Sequence, residues 1–205
     1  GIVGGAELGR LLASPDRDDR VAAARAIRHL GPSAYRPLRR LLADPDAVVR
    51  RAALKSAPGV ADRRLSPTLV DALADPPTRR RAGQALVAIG EAAVGPLAAI
   101  LGDPAASRAV KLIVPRLLRR IPCQESYDRL REHVSASDSH LRLRVHAALS
   151  HLHEELRRAP EPLPFVQRLV YEEIVDTYRN LAGWELARPL YETPLLEEVF
   201  LFRQQ

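Results

Sequence analysis

The stretch LLADPDAVVRRAAL, residues 41–54, decides the fold. Leu41, Leu42 and Ala43 close one helix. Asp44–Pro45 interrupts it, because proline has no N–H to donate and disfavours helical geometry in the residue before it. Asp46 is placed to cap the next helix, and Val49, Ala52 and Ala53 mark that helix's apolar side. Two cations, Arg50 and Arg51, lie just inside it on a surface of small residues.

The same construction recurs along the chain. Hinges read SPDR at 14–17, DPDA at 44–47, DPPT at 75–78 and DPAA at 103–106, with a weaker SDSH at 137–140. Pro15, Pro45, Pro76 and Pro104 are 30, 31 and 28 residues apart. A basic residue recurs inside each second helix, at Arg20, Arg50, Arg79, Lys111 and Arg142, with separations of 30, 29, 32 and 31. Two helices per unit at this spacing predict a helical solenoid. Asp16, Asp46, Asp75 and Asp138 each precede their arginine by four residues; the fourth unit has Ser107 there and Asp103 earlier. One helical turn apart, each Asp–Arg pair is expected to stabilise its turn by about 0.3 kcal/mol.

The expected helix pairs are 5–13 with 18–30, 33–43 with 46–57, 67–74 with 77–89, 92–101 with 105–120, and 124–134 with 139–156. Gly31 and Gly90 are expected to terminate helices. Two interruptions break the regularity. SAPGVADRRLSP, 56–67, predicts a longer, kinked connection, and Pro115 in AVKLIVPRLLRRI predicts a bent or broken helix.

Composition agrees with an all-α fold. Of 205 residues, 46% are apolar but only 4% aromatic, so the core must be aliphatic and alanine-rich. Alanine and leucine both favour helix, and long alternating β-branched runs are absent. The single cysteine, Cys123, excludes an internal disulfide framework and a cysteine-rich zinc site. No run of 18 apolar residues predicts a membrane span. The chain opens GIVGG without an initiator methionine, and a larger parent protein is expected.

The net charge of +6 is uneven: residues 151–205 hold six arginines against ten carboxylates, so the basic excess belongs to the front. That part is suited to attract acidic partners, nucleic acid or anionic lipid. An arginine excess over only two lysines also fits a GC-rich coding sequence.

APEPLP at 159–164 breaks the repeat pattern. The stretches after it, PFVQRLVYEEIVDTYRNLAGWEL and PLLEEVFLF, read as two further helices. The expected division is 1–156, about five helix pairs, and 157–205, a helical cap over the last apolar face. Docking of another segment on this end is the other reading.

The hinges and aligned basic residues over roughly 6–156 resemble HEAT repeats, which are similar to armadillo repeats. The resemblance implies a right-handed α-α superhelix. It also implies a structural ladder in which Arg20, Arg50, Arg79, Lys111 and Arg142 bond to loop aspartates within and between repeats. With those arginines occupied, Arg51, Arg80 and Arg81 become the candidate partner contacts. A narrower resemblance rests on IVPRLLRRI at 113–121, LRLRVHAALSHL at 141–152, LVYEEIVDTYRNLAG at 169–183 and LLEEVFLF at 195–202. These are similar to the soluble HEAT region attached to bacterial nucleotide-transporter-like major-facilitator proteins. That likeness implies a cytoplasmic regulatory or scaffolding part, at the membrane face of a larger protein, and a protein partner that includes other domains of the same chain.

Signals for catalysis are weak. There is no Walker A or G-x-G-x-x-G sequence, and no cofactor is implied. His146, His151 and His153 point in differing directions on a helix and lack H-E-x-x-H spacing. His133 and His140 flank a turn. Cys123 has no neighbouring histidine to activate it. Glu154–Glu155, Glu172–Glu173 and Glu197–Glu198 are adjacent on helices and so diverge. The expected function is a noncatalytic protein-interaction or regulatory scaffold. Its alternative is phosphate-backbone binding by arginines at 36, 39, 40, 50, 51, 63, 64, 79–81, 116, 119 and 120. Some HEAT-like proteins are DNA glycosylases with a basic, aromatic-containing groove; here the sole tryptophan, Trp184, lies outside the repeats.

Overall fold

The computed structural model describes residues 5–156, 174–177 and 179–180. It divides into two compact units, Gly1–Arg158 and Ala159–Gln205. The described part of the first unit is all-α and consists of helix pairs: α1 Gly5–Ala13 with α2 Arg17–Ile27, α3 Tyr35–Leu42 with α4 Ala47–Val60, and α5 Ser66–Asp71 with α6 Pro76–Ile89. Next come α7 Val94–Gly102 with a divided second helix, α8 Arg108–Lys111 and α9 Val114–Leu118, and finally α10 Gln124–Arg131 with α11 Ser139–Glu155. In the second unit, 174–177 and 179–180 are helical. The cap expected over 157–205 otherwise lies outside the described residues.

Second helices stack on one another: α2 on α4, α4 on α6, α6 on α9, and α9 on α11. First helices form a parallel row, in which α5 meets α7 and α7 meets α10. Each pair contributes to one continuous core containing Ile27, Leu38, Leu41, Val49, Leu69, Leu86, Leu97, Leu118, Leu130 and Leu152, all buried. Burying one such side chain contributes about 1.5–3 kcal/mol. Alanines fill the contact between second helices, with Ala23, Ala24, Ala53, Ala57, Ala82 and Ala85 buried, and small side chains permit short interaxial distances. At Gly59 the approach is closer still: a Cβ there would lie 2.2 Å from the carbonyl oxygen of Arg28.

The interruptions fall close to the prolines but not always at them. Pro115 divides α8 from α9 and stands in the first turn of α9, where its missing N–H costs nothing. Pro58 instead lies inside α4, which runs on to Val60 rather than ending at 57; the stop is Ala61, in the left-handed region at φ 46°. The neighbouring packed helices hold α4 together past the hydrogen bond that Pro58 cannot donate.

Pro76–Gly102 is the one described stretch that is long and apolar enough by composition to cross a membrane. It is not one helix. Gly90, at φ 76° and ψ −144°, ends α6 after 14 residues, and the nine-residue α7 starts after a 3-10 turn over Gly90–Ala93. Each falls short of the roughly 20 residues that a spanning helix needs.

Candidate interaction surface

The hinge residues divide their work between opposite ends of the turn. Asp16 accepts the Asp18 N–H at 3.0 Å, Asp46 the Val48 N–H at 2.7 Å, and Asp138 those of His140 and Leu141 at 2.9 and 3.3 Å. These are N-caps, satisfying donors that the first helical turn leaves open. Asp75 caps no backbone N–H and accepts the Thr78 hydroxyl at 3.1 Å. Ser107 takes the capping place in the fourth pair, at 3.4 Å from the Val110 nitrogen.

The arginine four residues on turns back over the hinge. Arg20 donates to the carbonyls of Ser14 and Pro15, at 3.1 and 2.9 Å. Arg50 donates to Asp44 and Pro45, both at 2.7 Å, and Arg79 to Leu73 and Ala74, at 2.8 and 3.0 Å. Arg142, itself buried, donates to Ala136 at 2.8 Å. The target is each time the carbonyl six residues earlier, in the hinge past the preceding helix, where C=O groups outside the helix ladder favour a cation. The expected ion pairs between Asp16 and Arg20 and between Asp46 and Arg50 therefore give way to a cap and a carbonyl clamp on one turn, and that between Asp75 and Arg79 to a carbonyl clamp beside the Thr78 hydroxyl. The Lys111 side chain makes no hydrogen bond among the described residues, so the fourth pair has no equivalent clamp from this position.

Arginine–aspartate bridges also cross between repeats, and each brings in one residue, Asp44 or Arg108, from outside the Asp–Arg positions aligned above. Arg20 donates through Nε to Asp44 Oδ2 at 2.8 Å and through Nη2 to Oδ1 at 3.3 Å. Burial pushes the Asp44 carboxyl up, but the Arg20 hydrogen bond, the Asp46 N–H and the charges of Arg20 and Arg50 outweigh it and hold the group below its ordinary value. The first aspartate of the DPD hinge was the available signal. Arg108 makes the second bridge, to both carboxylate oxygens of Asp138, with Nη2–Oδ1 at 3.0 Å. The Arg108 hydrogen bond, against burial, brings Asp138 down to about 2. In the third hinge Leu73 stands where Asp44 stands in the second, so Arg50 finds no carboxylate at the equivalent place.

The candidate contacts Arg51, Arg80 and Arg81 belong to the stacked second helices. Arg51 and Arg80 are exposed and Arg81 is half-buried. None of the three side chains makes a hydrogen bond or ion pair among the described residues.

A different set of arginines converges. Arg36, Arg39 and Arg40 of α3 line an open groove of about 570 Å³ with Tyr35, Ala43 and Arg64. Arg64 sits on the 3-10 turn Arg63–Leu65 with its guanidinium 4.0 Å from the Tyr35 ring centroid. It also forks onto Asp62, at 3.0 and 2.7 Å, and this hydrogen bonding lowers the Asp62 carboxyl to about 2 against its burial. Arginines 50, 51, 79–81, 116, 119 and 120 do not line this groove.

Among the described residues, no group of three or more His, Cys, Asp or Glu is placed to hold a metal ion. His146 meets the Val134 carbonyl at 3.0 Å, and burial lowers the His133 pKa. Cys123 is buried and acts as the N-cap of α10, accepting the Ser126 N–H at 3.4 Å.

The paired helices and clamped hinges define an all-α helical-repeat structure, consistent with a HEAT/armadillo-like solenoid. Residues 6–90, which span the first three helix pairs, match the family model described as HEAT repeats. No curated protein matches the chain. Similar solved structures include an engineered protein from a structural-genomics programme, at 19% identity and a TM-score of 0.47, covering 85% of this chain and 87% of that one. They also include a designed armadillo repeat protein, at 20% identity and a TM-score of 0.42, covering 72% of this chain and 81% of that one.

Proposed function

We propose that this chain is a noncatalytic interaction scaffold, in which the stacked second helices present side chains to a protein partner. The supporting observation is the contrast between adjacent residues. Arg50 and Arg79 are taken up by hinge carbonyls, whereas Arg51 and Arg80 project from the same helices without a partner among the described residues. A repeat stack offers such side chains on one extended surface. In the finer form of the reading, the scaffold is the cytoplasmic regulatory part of a transporter-like membrane protein, and its partner is another domain of that protein.

Two measurements test this. The first reads the coding sequence in frame on both sides of this chain. Membrane helices there support the transporter-linked form, and their absence sinks it. The second measures binding of the isolated repeat unit to the remainder of the parent polypeptide, supplied separately. The triple substitution Arg51→Ala, Arg80→Ala and Arg81→Ala is expected to weaken that affinity by about tenfold or more, as loss of exposed charged contacts at an interface does. An unchanged affinity removes these three residues from the contact.

A further inference from the structure

We propose that the groove between α3 and the Arg63–Leu65 turn binds a short acidic segment of a partner protein in extended conformation. The proposal rests on the scaffold reading but uses a different row of helices. Arg36, Arg39 and Arg40 are exposed, and none of them meets a carboxylate among the described residues. Arg39 has only the Tyr35 hydroxyl, at 3.5 Å. Three like charges within about one helical turn repel one another and attract an anion.

The far wall of the groove is already fixed. Asp62 accepts from Nε and Nη2 along one edge of the Arg64 guanidinium, and Tyr35 lies beneath it. Arg64 therefore contributes a rigid edge, and Arg36, Arg39 and Arg40 contribute the free donors. Their spacing suits a peptide. Arg36 and Arg40 rise about 6 Å along the helix axis, while same-side residues of an extended chain repeat at about 6.8 Å. Carboxylates at alternate positions thus fall opposite successive guanidiniums, which accept them as paired N–H donors.

The rest of the row argues against a long polyanion. At the fourth and fifth pairs, Glu91 of the Gly90–Ala93 turn, Glu125 and Asp128 of α10 and Glu132 at its end line another groove, of about 560 Å³, with Arg129 as its one cation. Nucleic acid binds by tracking a continuous basic path. Here the path reverses sign between the second and fifth helix pairs, so the basic part suits a short ligand.

The test uses fluorescence anisotropy of labelled hexaglutamate with the full chain at about 150 mM salt, where distant surface charges are screened. The groove variant carries R36Q, R39Q and R40Q; the control carries R116Q, R119Q and R120Q, which removes equal charge from exposed positions outside the groove. Circular dichroism checks that both variants remain folded. The groove variant is expected to raise Kd by about tenfold or more, the control by less than about twofold. Equal weakening by the two variants, or no peptide binding at all, overturns the proposal. So does tighter binding of a twelve-nucleotide oligothymidylate through the same three arginines, which identifies a nucleic-acid site. Self-association lost in the groove variant overturns it in favour of a second copy. Hexaglutamate binding that survives Arg51→Ala, Arg80→Ala and Arg81→Ala separates this groove from the second-helix surface, so either reading fails without the other.

Discussion

Arg20 joins the first repeat to the second through Asp44: one guanidinium holds a carboxylate 24 residues away with Nε at 2.8 Å from Oδ2, while its Nη1 clamps the carbonyls of its own hinge. Asp44 is buried and also accepts the Asp46 N–H at 2.9 Å. The pair therefore fixes the inside of one turn and the angle between two repeats together. Tertiary burial at this boundary supplies the dry surroundings that make the contact matter more than an exposed ion pair.

Replacing Asp44 is expected to cost more than replacing the cap beside it. Asp44→Ala leaves the Arg20 fork and the Asp46 N–H short of an acceptor, a loss of about 1–3 kcal/mol for the unmade hydrogen bonds. Asp16→Ala removes one exposed cap, typically about 1 kcal/mol. Urea unfolding of both variants followed by circular dichroism gives the ranking; an Asp16 variant weaker than the Asp44 variant contradicts it.

Asp138 shares acid sensitivity with Asp62, whose carboxyl is lowered equally far by Arg64. The folded Asp138 carboxyl lies at about 2, against an ordinary value of 3.8, chiefly through Arg108. The folded state thus binds fewer protons than the unfolded chain within this window. The resulting stability is fully present above the ordinary value and disappears as pH falls through the folded one. Asp138→Asn is expected to lower thermal stability at neutral pH, to flatten its fall between about pH 4 and pH 2, and to meet the wild-type curve at the acid end. Parallel curves across that range would refute the assignment.

Two glycines in helices are expected to respond oppositely to alanine. At Gly59 a Cβ meets backbone, the Arg28 carbonyl oxygen at 2.2 Å, and backbone cannot rotate away. Gly59→Ala must push α4 from the end of α2, at a cost of about 1–3 kcal/mol. Gly9, in α1, has nothing within 4 Å of the same position, so Gly9→Ala gains helix propensity of about 0.5–1 kcal/mol. A rise in Tm for Gly9→Ala with a fall for Gly59→Ala is the expected pattern.

The helix pairs were legible because their signals are local. Proline stops, aspartate caps and apolar faces act within a few residues, and the period of about 30 makes each occurrence support the others. The caps at Asp16, Asp46 and Asp138 are legible for the same reason. The end of α4 was not, because packing carries the helix past Pro58 to Ala61. Asp44 and Arg108 were missed because their partners lie 24 and 30 residues away, a distance that sequence spacing can align but not orient. The Arg36, Arg39 and Arg40 cluster is visible in the sequence as charge. Its convergence with Arg64 over Tyr35 depends on how the 3-10 turn at 63–65 is set against α3.

Arg79 and Arg80 are sequence neighbours with opposite expected roles. Arg79 donates to the carbonyls of Leu73 and Ala74, in the hinge that follows the first helix of its pair. Arg79→Ala leaves those acceptors to water or unpaired and is expected to cost about 1–2 kcal/mol. Arg79→Lys keeps the charge but not the fork, and so restores only part of the loss. Arg80 is exposed and makes no such bond among the described residues, so Arg80→Ala should leave the unfolding free energy within about 0.5 kcal/mol. The partner measurement should reverse the order, with Arg80→Ala weakening affinity directly. Arg79→Ala should weaken it only when the hinge itself loosens, which amide hydrogen exchange at 73–79 detects. If Arg80→Ala instead destabilises the fold while binding is unchanged, the division between hinge clamp and outward contact is wrong.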